Sequence, residues 1–583
     1  MDHLTCLLAG LRARRSTASP KKRGFCESIS PWIPASFCLY GLALAVAAGC
    51  SDRPSADARV SASRPESAAA SGSSPSPVGN PESVDVKPSA AESGTAGTTT
   101  SAGGQAKTGP ASDVPPPAPA EQAKKIRREP LFLGWPKPAL ALYITGRQYG
   151  YIEPCGCSGL TNQKGGLVRR YGCKRQLEQQ GWQVVALDVG NQVRRFGRQA
   201  EIKFQMTAEG LKRMNYQAIG FGPDDLRLSA GELIAITADE GDSSSAFLCV
   251  NAAIIDRALM PRYRIIEAGG KKIGVTAVLG TEELAQITSD EIIKQPPEEA
   301  LREVWPELEQ KACDLYVLLA HASIEASTAL VQKFSQFDIV VTAGGAGEPT
   351  FEAERIAGTG AVMVQVGTKG MYTGVIGLFD DPAQPLRYQR VPLDDRFPDS
   401  PEMLQLLASY QDQLKAAGLE GLGIKPIPYP TDRKFVGSEA CLDCHEPEYK
   451  TWKKTTHAHA LETLIHPGER SEVPRHFDPE CLSCHVIGWN PQKYFPYVSG
   501  YLGVDETPLM HHVGCENCHG PGSAHVKVEE DGGPTEMLNK LREEVTLPLP
   551  EAEKKCMECH DLDNSPDFHE PGAFDRYWKK IEH

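Results

Sequence analysis

Between Pro130 and Pro430, short runs of β-branched and apolar residues alternate with longer stretches whose apolar positions recur every three or four residues. The runs Leu140–Thr145, Gln183–Asp188, Phe247–Asn251, Lys272–Val278, Leu315–Ala320, Ile339–Thr342, Val362–Val366 and Tyr372–Phe379 predict strands. The stretches Gln163–Gln180, Lys203–Asn215, Pro297–Lys311, Ser323–Phe337 and Pro401–Ala417 predict helices. Strands alternating with helices predict an α/β layered sandwich for residues 130–430. From Thr431 the periodicity dissolves, and residues 431–583 read as a mainly helical and irregular domain that takes its core from cofactors rather than from long apolar stripes.

Before Pro130 the pattern is different again. From Ser51 to Arg128 the chain is Ser, Ala, Pro, Gly and Thr with few large apolar residues, too little to offset chain entropy, so 51–128 is expected to be a disordered tether. Residues 1–50 read as an export signal, in which Arg12, Arg14, Arg15, Lys21, Lys22 and Arg23 precede an apolar run from Ala35 to Gly49 that is too short to span a membrane. The run ends in Ala47-Ala48-Gly49-Cys50-Ser51, which resembles a bacterial lipobox and implies lipidation at Cys50, a membrane anchor and an extracytoplasmic, periplasmic location. A plain secretory signal with an incidental Cys50 is the alternative.

The formal net charge of −14 lacks the basic surface that nucleic-acid binding needs. Histidine is segregated, since only His3 and His321 precede His445. Four segments fit Cys-x-x-Cys-His: Cys441-Leu-Asp-Cys444-His445, Cys481-Leu-Ser-Cys484-His485, Cys515-Glu-Asn-Cys518-His519 and Cys556-Met-Glu-Cys559-His560. With 17 cysteines and 15 histidines in 583 residues, chance supplies about 0.013 such motifs. Two thiols at this spacing add to the vinyl groups of haem, and the next histidine then ligates the iron. Zinc knuckles share the paired cysteines but have no reason to place histidine after the second one four times. Four covalently bound haem c groups are expected, with His445, His485, His519 and His560 as proximal ligands. The remaining histidines here outnumber the methionines Met510, Met537 and Met557, so a second histidine is the expected sixth ligand.

The segments Phe435-Val-Gly-Ser-Glu-Ala-Cys441, Tyr449 to Ala460, Cys481-Leu-Ser-Cys-His-Val-Ile-Gly, Gly514-Cys-Glu-Asn-Cys-His-Gly-Pro-Gly-Ser-Ala-His525 and Asn564-Ser-Pro-Asp-Phe568 through Trp578-Lys-Lys-Ile-Glu-His583 resemble the tetrahaem cytochrome c-554 family. The resemblance implies closely stacked haems and distal ligands at His457, His525 and His583, with His459 the substitute for His457. Three distal ligands for four irons also imply one five-coordinate haem able to bind a small ligand.

The stretch from Ala139 to Pro392 resembles the metallophosphatase domain of bacterial 5′-nucleotidases, through Leu187-Asp188-Val-Gly-Asn191, Ala218 to Asp225, Leu318-Leu-Ala-His321 and Asp338 to Gly345. Where that family has Asp-x-His this chain has Arg147-Gln148-Tyr149, and its Gly-Asp carboxylate falls on Asn191. Gly-Asn-His-Glu becomes Gly222-Pro223-Asp224-Asp225, and Gly-His-x-His becomes Gly344-Gly345-Ala346-Gly347. Only His321 keeps register, with Asp224 and Asp225 as candidate oxygen donors, so the domain is expected to be a degenerate, catalytically inactive scaffold. A disulfide among Cys155, Cys157 and Cys173 is expected in an oxidising compartment. The alternative there is an anion or redox site served by Arg169 and Arg170. Cys249 and Cys313 are expected as packed free thiols.

These readings point to electron transfer to and from redox partner proteins. A haem enzyme acting on a small nitrogen or sulfur species, a metal-dependent phosphoesterase with a haem appendage, and a partner-docking module are the competing classes.

Overall fold

A computed structural model describes residues 128, 130–154, 163–238, 245–468 and 471–583. The export signal with Cys50, almost all of the proposed tether, and Cys155 and Cys157 lie outside the described residues. Arg128–His583 fall within one compact unit. No helix among the described residues is long and apolar enough to cross a membrane.

The middle region holds β1 (Leu140–Thr145), β2 (Val184–Asp188), β3 (Tyr216–Ile219), β4 (Ala252–Ile254), β5 (Tyr263–Ala268), β6 (Lys271–Leu279), β7 (Ile292–Lys294), β8 (Leu315–His321), β9 (Ile339–Thr342), β10 (Glu354–Arg355), β11 (Val362–Gln365), β12 (Tyr372–Leu378) and β13 (Leu386–Pro392). A five-stranded sheet has the order β13-β12-β1-β2-β3, and a six-stranded sheet has the order β10-β11-β9-β8-β6-β5. β4 and β7 form a separate antiparallel pair.

Alternation along each strand builds the layers, because successive side chains point to opposite faces. Leu140, Leu142 and Ile144 of β1 meet Val275, Val317, Leu319 and Val341 in a core between the two sheets. Ala141 and Tyr143, on the other face, pack with Leu167, Leu211, Phe204 and Leu406 of the helices Gly166–Gln179, Arg198–Arg213 and Pro401–Gly421. Tyr316, Leu318 and Ala320 of β8 face outward against the helices Pro297–Gln310 and Ile324–Lys333. The result is an α/β sandwich of four layers, helix–sheet–sheet–helix. Both faces of the central strands are buried, which is why they read as unbroken apolar runs.

Phe247–Asn251 is not a ladder strand. Only a bridge from Phe247 to Ile219 forms, and the segment is wedged between the sheets, with Val250 N–H donating to Ala277 O at 2.8 Å. An apolar run reports burial, and burial here comes without strand pairing. The helix expected from Lys203 begins at Arg198, and the one expected to reach Phe337 ends at Lys333.

The C-terminal region is mostly short helices, among them Glu446–Trp452, Pro479–His485, Cys515–His519, Ser523–Asp531, Thr535–Glu544, Leu549–Cys556 and Ala573–Trp578. Among its described residues, one sizeable apolar cluster gathers Phe435, Leu461, Leu482, Ile487, Trp489 and Tyr501.

Candidate haem-binding site

Each Cys-x-x-Cys-His motif lies in or beside a single helical turn. Cys481 to His485 and Cys515 to His519 are helical, Cys441 ends a short turn begun at Ser438, and Cys556 ends the helix from Leu549. At three- and four-residue spacing, two thiols and an imidazole share one helix face. These thiols stand in for the thioether sulfurs of a loaded protein.

Packing then brings distant histidines together. The ring centres of His445 and His525 lie 6.4 Å apart, those of His457 and His560 6.1 Å, and those of His519 and His583 5.9 Å. Two metal–nitrogen bonds of about 2 Å, with about 1 Å from each nitrogen to its ring centre, require about 6 Å. Three motif histidines therefore face the histidines that the resemblance names as distal partners, at the separation an axially ligated iron needs. His459 instead lies 6.3 Å from His512, with its Nδ1 3.0 Å from Glu462 Oε2.

The surroundings also set tautomers. Nδ1 of His485 lies 2.8 Å from Ala460 O, and Nδ1 of His519 lies 2.8 Å from Val545 O. A carbonyl only accepts, so Nδ1 carries the proton and Nε2 keeps its lone pair for a metal. His583 makes the same bond to Ile581 O at 2.8 Å, and His560 Nδ1 meets Ser565 Oγ at 3.0 Å. Burial, reinforced by His560 and His485, lowers His457 to about 4, which keeps it as the neutral imidazole, the form a metal binds.

The thiols of the first and third motifs act on each other electrostatically, Cys441 with Cys515, as do Cys484 and Cys559 of the second and fourth, and Cys556 acts on Cys518. The third motif also reaches the second, Asn517 Nδ2 donating to Val486 O at 3.0 Å. Gly514 lets the third motif approach the segments of the first and second closely, since a Cβ there would stand 2.3 Å from Ser438 Oγ and 2.5 Å from Ile487 Cδ1. Buried Glu516 ties the segments of the first and third, accepting from Val436 N–H at 3.0 Å, Gly437 N–H at 2.7 Å and Gly522 N–H at 2.7 Å.

A family model described as "Cytochrome c554 and c-prime" matches residues 440–520, a span that contains the first three motifs. The C-terminal region is a cytochrome c-554-like domain. Cytochrome c-554 of Nitrosomonas europaea is 36% identical over 101 residues, covering 16% of this chain and 40% of that protein. Dissimilatory sulfite reductase MccA of Wolinella succinogenes is 33% identical over 72 residues, 12% of this chain and 10% of that protein. The chain thus spans less than half the length of either relative. The middle region is similar to a 5′-nucleotidase precursor from Thermus thermophilus (16% identity, TM-score 0.41, 48% of this chain and 59% of that one). It is also similar to the calcineurin-like phosphoesterase YfkN from Bacillus subtilis (15% identity, TM-score 0.39, 48% of this chain and 98% of that one).

The positions compared with a phosphatase site do converge. Arg147, Tyr149, Asn191, Asp224, His321 and Gly344 line an open cleft of about 240 Å³, joined by Glu283. Among the described residues no group of three or more His, Cys, Asp or Glu side chains is placed to hold a metal ion. His321 is buried, its Nδ1 lies 3.0 Å from Val189 O, and burial lowers its pKa to about 4. Asp225 does not offer its oxygens to the cleft, as they accept the backbone N–H groups of Asn191, Gln192, Val193 and Gly222 at 2.7–3.2 Å. It is a buried staple between two loops. Asp224 remains at the cleft, 3.2 Å from Asn191 Nδ2.

The disulfide expected among Cys155, Cys157 and Cys173 does not include Cys173, a free thiol buried against Tyr143 with its pKa pushed up to about 12 by burial; Cys155 and Cys157 lie outside the described residues. Arg169 and Arg170 are not anion traps. Arg170 is wholly enclosed, 3.2 Å from Asp188, and buried Arg169 pairs with Asp399 at 3.2 Å. Cys249 and Cys313 are free, as expected of packed thiols.

Residues that motif reading missed join the middle region to the cytochrome-like one. Asp478 caps the helix Pro479–His485 and accepts from Gln199 at 2.7 Å, Tyr410 at 3.1 Å and Gln411 at 3.3 Å. Glu480 meets Lys203 at 2.5 Å and Arg195 at 3.2 Å. Burial acts to raise Glu480, but Lys203 and Arg195 override it and hold the carboxyl below its usual range. Asp563, three residues past His560, pairs with Arg194 and with Lys369, the latter at 2.7 Å. Their only sequence signal is acidic residues flanking two haem motifs.

Proposed function

We propose that this chain is an exported multihaem c-type cytochrome that transfers electrons between redox partner proteins through four covalently bound haems. Cys441 and Cys444, Cys481 and Cys484, Cys515 and Cys518, and Cys556 and Cys559 would form the thioethers. His445, His485, His519 and His560 would be the proximal ligands, and His525, His457 and His583 would face His445, His560 and His519 as distal ones. The observation that best supports this reading is the set of three histidine pairs with ring centres 5.9–6.4 Å apart. Haem bound here supplies one-electron redox chemistry. The chain's own residues hold neutral imidazoles in the ligating tautomer and bring neighbouring motifs into contact. In this reading a lipid at Cys50 tethers the chain to a periplasmic membrane surface.

The purified holoprotein is expected to contain four haems by pyridine haemochrome assay and at least three low-spin bis-histidine centres by electron paramagnetic resonance. Zinc in place of haem, or fewer than three such centres, overturns the reading.

The middle region serves in this reading as a scaffold without phosphoesterase chemistry, since metal-dependent attack on a phosphate ester needs carboxylate and histidine ligands that Arg147, Asn191 and Gly344 do not supply. Incubation with phosphate esters and manganese or zinc is expected to give no turnover above background. Metal-dependent hydrolysis that is lost on replacing His321 would sink this part.

A further inference from the structure

The middle region grips the cytochrome-like region at particular places. Its charged and polar side chains meet the helix of the second motif, through Asp478 and Glu480, and the loop after the fourth motif, through Asp563. These two motifs adjoin each other: Gln492, just past the second, donates to Glu558 O, within the fourth, at 2.5 Å. At Asp563, Arg194 is 56% exposed, a setting in which an ion pair contributes little, while Lys369 is 11% exposed. Asp478 is 4% exposed, and Lys203 and Glu480 are 12% and 27% exposed at the side chain.

The chemistry of the second-motif grip is specific. Asp478 is the N-cap of the helix, accepting Glu480 N–H at 2.9 Å, and Glu480 occupies the first turn, where a carboxylate is favoured by the helix dipole. Cys481 follows directly, and Cys484 and His485 lie on the next turn of the same helix. Two enclosed carboxylates at this end are matched by two cations, Lys203 and Arg195, and by three neutral donors from the helices Arg198–Arg213 and Pro401–Gly421. Anything that changes this charge balance acts on the iron that His485 would hold.

We propose that Lys203 is a positioning residue for the second haem motif: by pairing with Glu480 it holds the helix Pro479–His485 and sets the reduction potential of the haem bound there. The middle region is then part of the redox machinery and not only a stand for it. The proposal rests on the haem reading above.

The sign follows from charge. Ferric iron carries one more positive charge than ferrous, so losing a nearby cation favours the ferric form and losing a nearby anion favours the ferrous form. In an effective dielectric of about 20, a unit charge roughly ten ångströms away shifts a one-electron equilibrium about tenfold, or about 59 mV.

The test is a redox titration of the holoprotein at pH 8, followed optically and by paramagnetic resonance, on Lys203→Met, Glu480→Gln and Lys203→Arg. His485→Met, which gives that iron a potential-raising ligand, identifies its step. Lys203→Met is expected to lower that step about tenfold in the reduced-to-oxidised ratio, Glu480→Gln to raise it, and Lys203→Arg to restore it. The other steps are expected to stay in place. A merely structural role would shift Lys203→Met and Glu480→Gln in the same direction, and that result overturns the proposal, as does an unmoved step. If the unmodified protein contains fewer than four haems, the count in the functional reading fails, while opposite shifts of the His485 step still support the clamp.

Discussion

On the proposed reading, replacing both Cys556 and Cys559 by alanine is expected to lower the haem content from four to three and to slow electron exchange with the second haem. The fourth motif neighbours the second and the third, Cys559 acting on Cys484 and Cys556 on Cys518. Removing it takes out one link between the second motif and the others and leaves another, Asn517 Nδ2 donating to Val486 O at 3.0 Å. The variant is also expected to melt earlier. His560 stacks on Phe568 at 5.0 Å and meets the tilted ring of Tyr577 at 6.1 Å, so the last helices of the chain pack around the histidine of that motif. With one modest apolar cluster among the described residues of this region, cofactor binding contributes folding free energy directly. Haemochrome assay, stopped-flow reduction and thermal denaturation check the three parts. A variant that retains four haems would contradict the assignment of these cysteines.

Arg170→Met is expected to destabilise the chain by about 3–5 kcal/mol, a large share of a typical folding free energy of about 5–15 kcal/mol. Arg170 and Asp188 are both fully enclosed and 3.2 Å apart at the C-terminal end of β2. Asp188 keeps bonds from Thr145 at 2.6 Å, Gly190 N–H at 2.9 Å and Gln192 at 2.7 Å, but none of these is a cation. Losing the guanidinium leaves an uncompensated buried carboxylate, which costs more than the intact pair contributes. Adding Asp188→Asn to Arg170→Met is therefore expected to recover part of the loss, and urea denaturation of the single and double variants measures the coupling. Equal losses in the single and double variants would show that the charge is not what matters.

How far these features were legible in the sequence depended on the range of the interaction behind them. The edge strands β5 and β13 went unread because they are half-exposed and carry Arg264, Glu267, Arg387 and Arg390, which dilute the apolar signal. β3 went unread because Gln217 interrupts a run of only four residues. Phe247–Asn251 was legible as buried but not as unpaired, since apolarity carries no information about ladder bonds. The tight pairs Asp478 with Tyr410 and Glu480 with Lys203 join residues far apart in the chain and leave no periodic trace.

What the sequence by itself determined is local chemistry: four Cys-x-x-Cys-His turns whose reactive groups share one helix face, and buried strands whose composition shows their enclosure. A covalent motif closes within a single helical turn, so no tertiary knowledge is needed to read it. Only the tertiary structure decided which histidine rings face each other, which motifs adjoin, that Asp225 is a backbone staple, and that Cys173 is an isolated thiol. Each of those outcomes is a packing result, set by where the chain returns in space, and the spacing of residues along the chain does not encode that return.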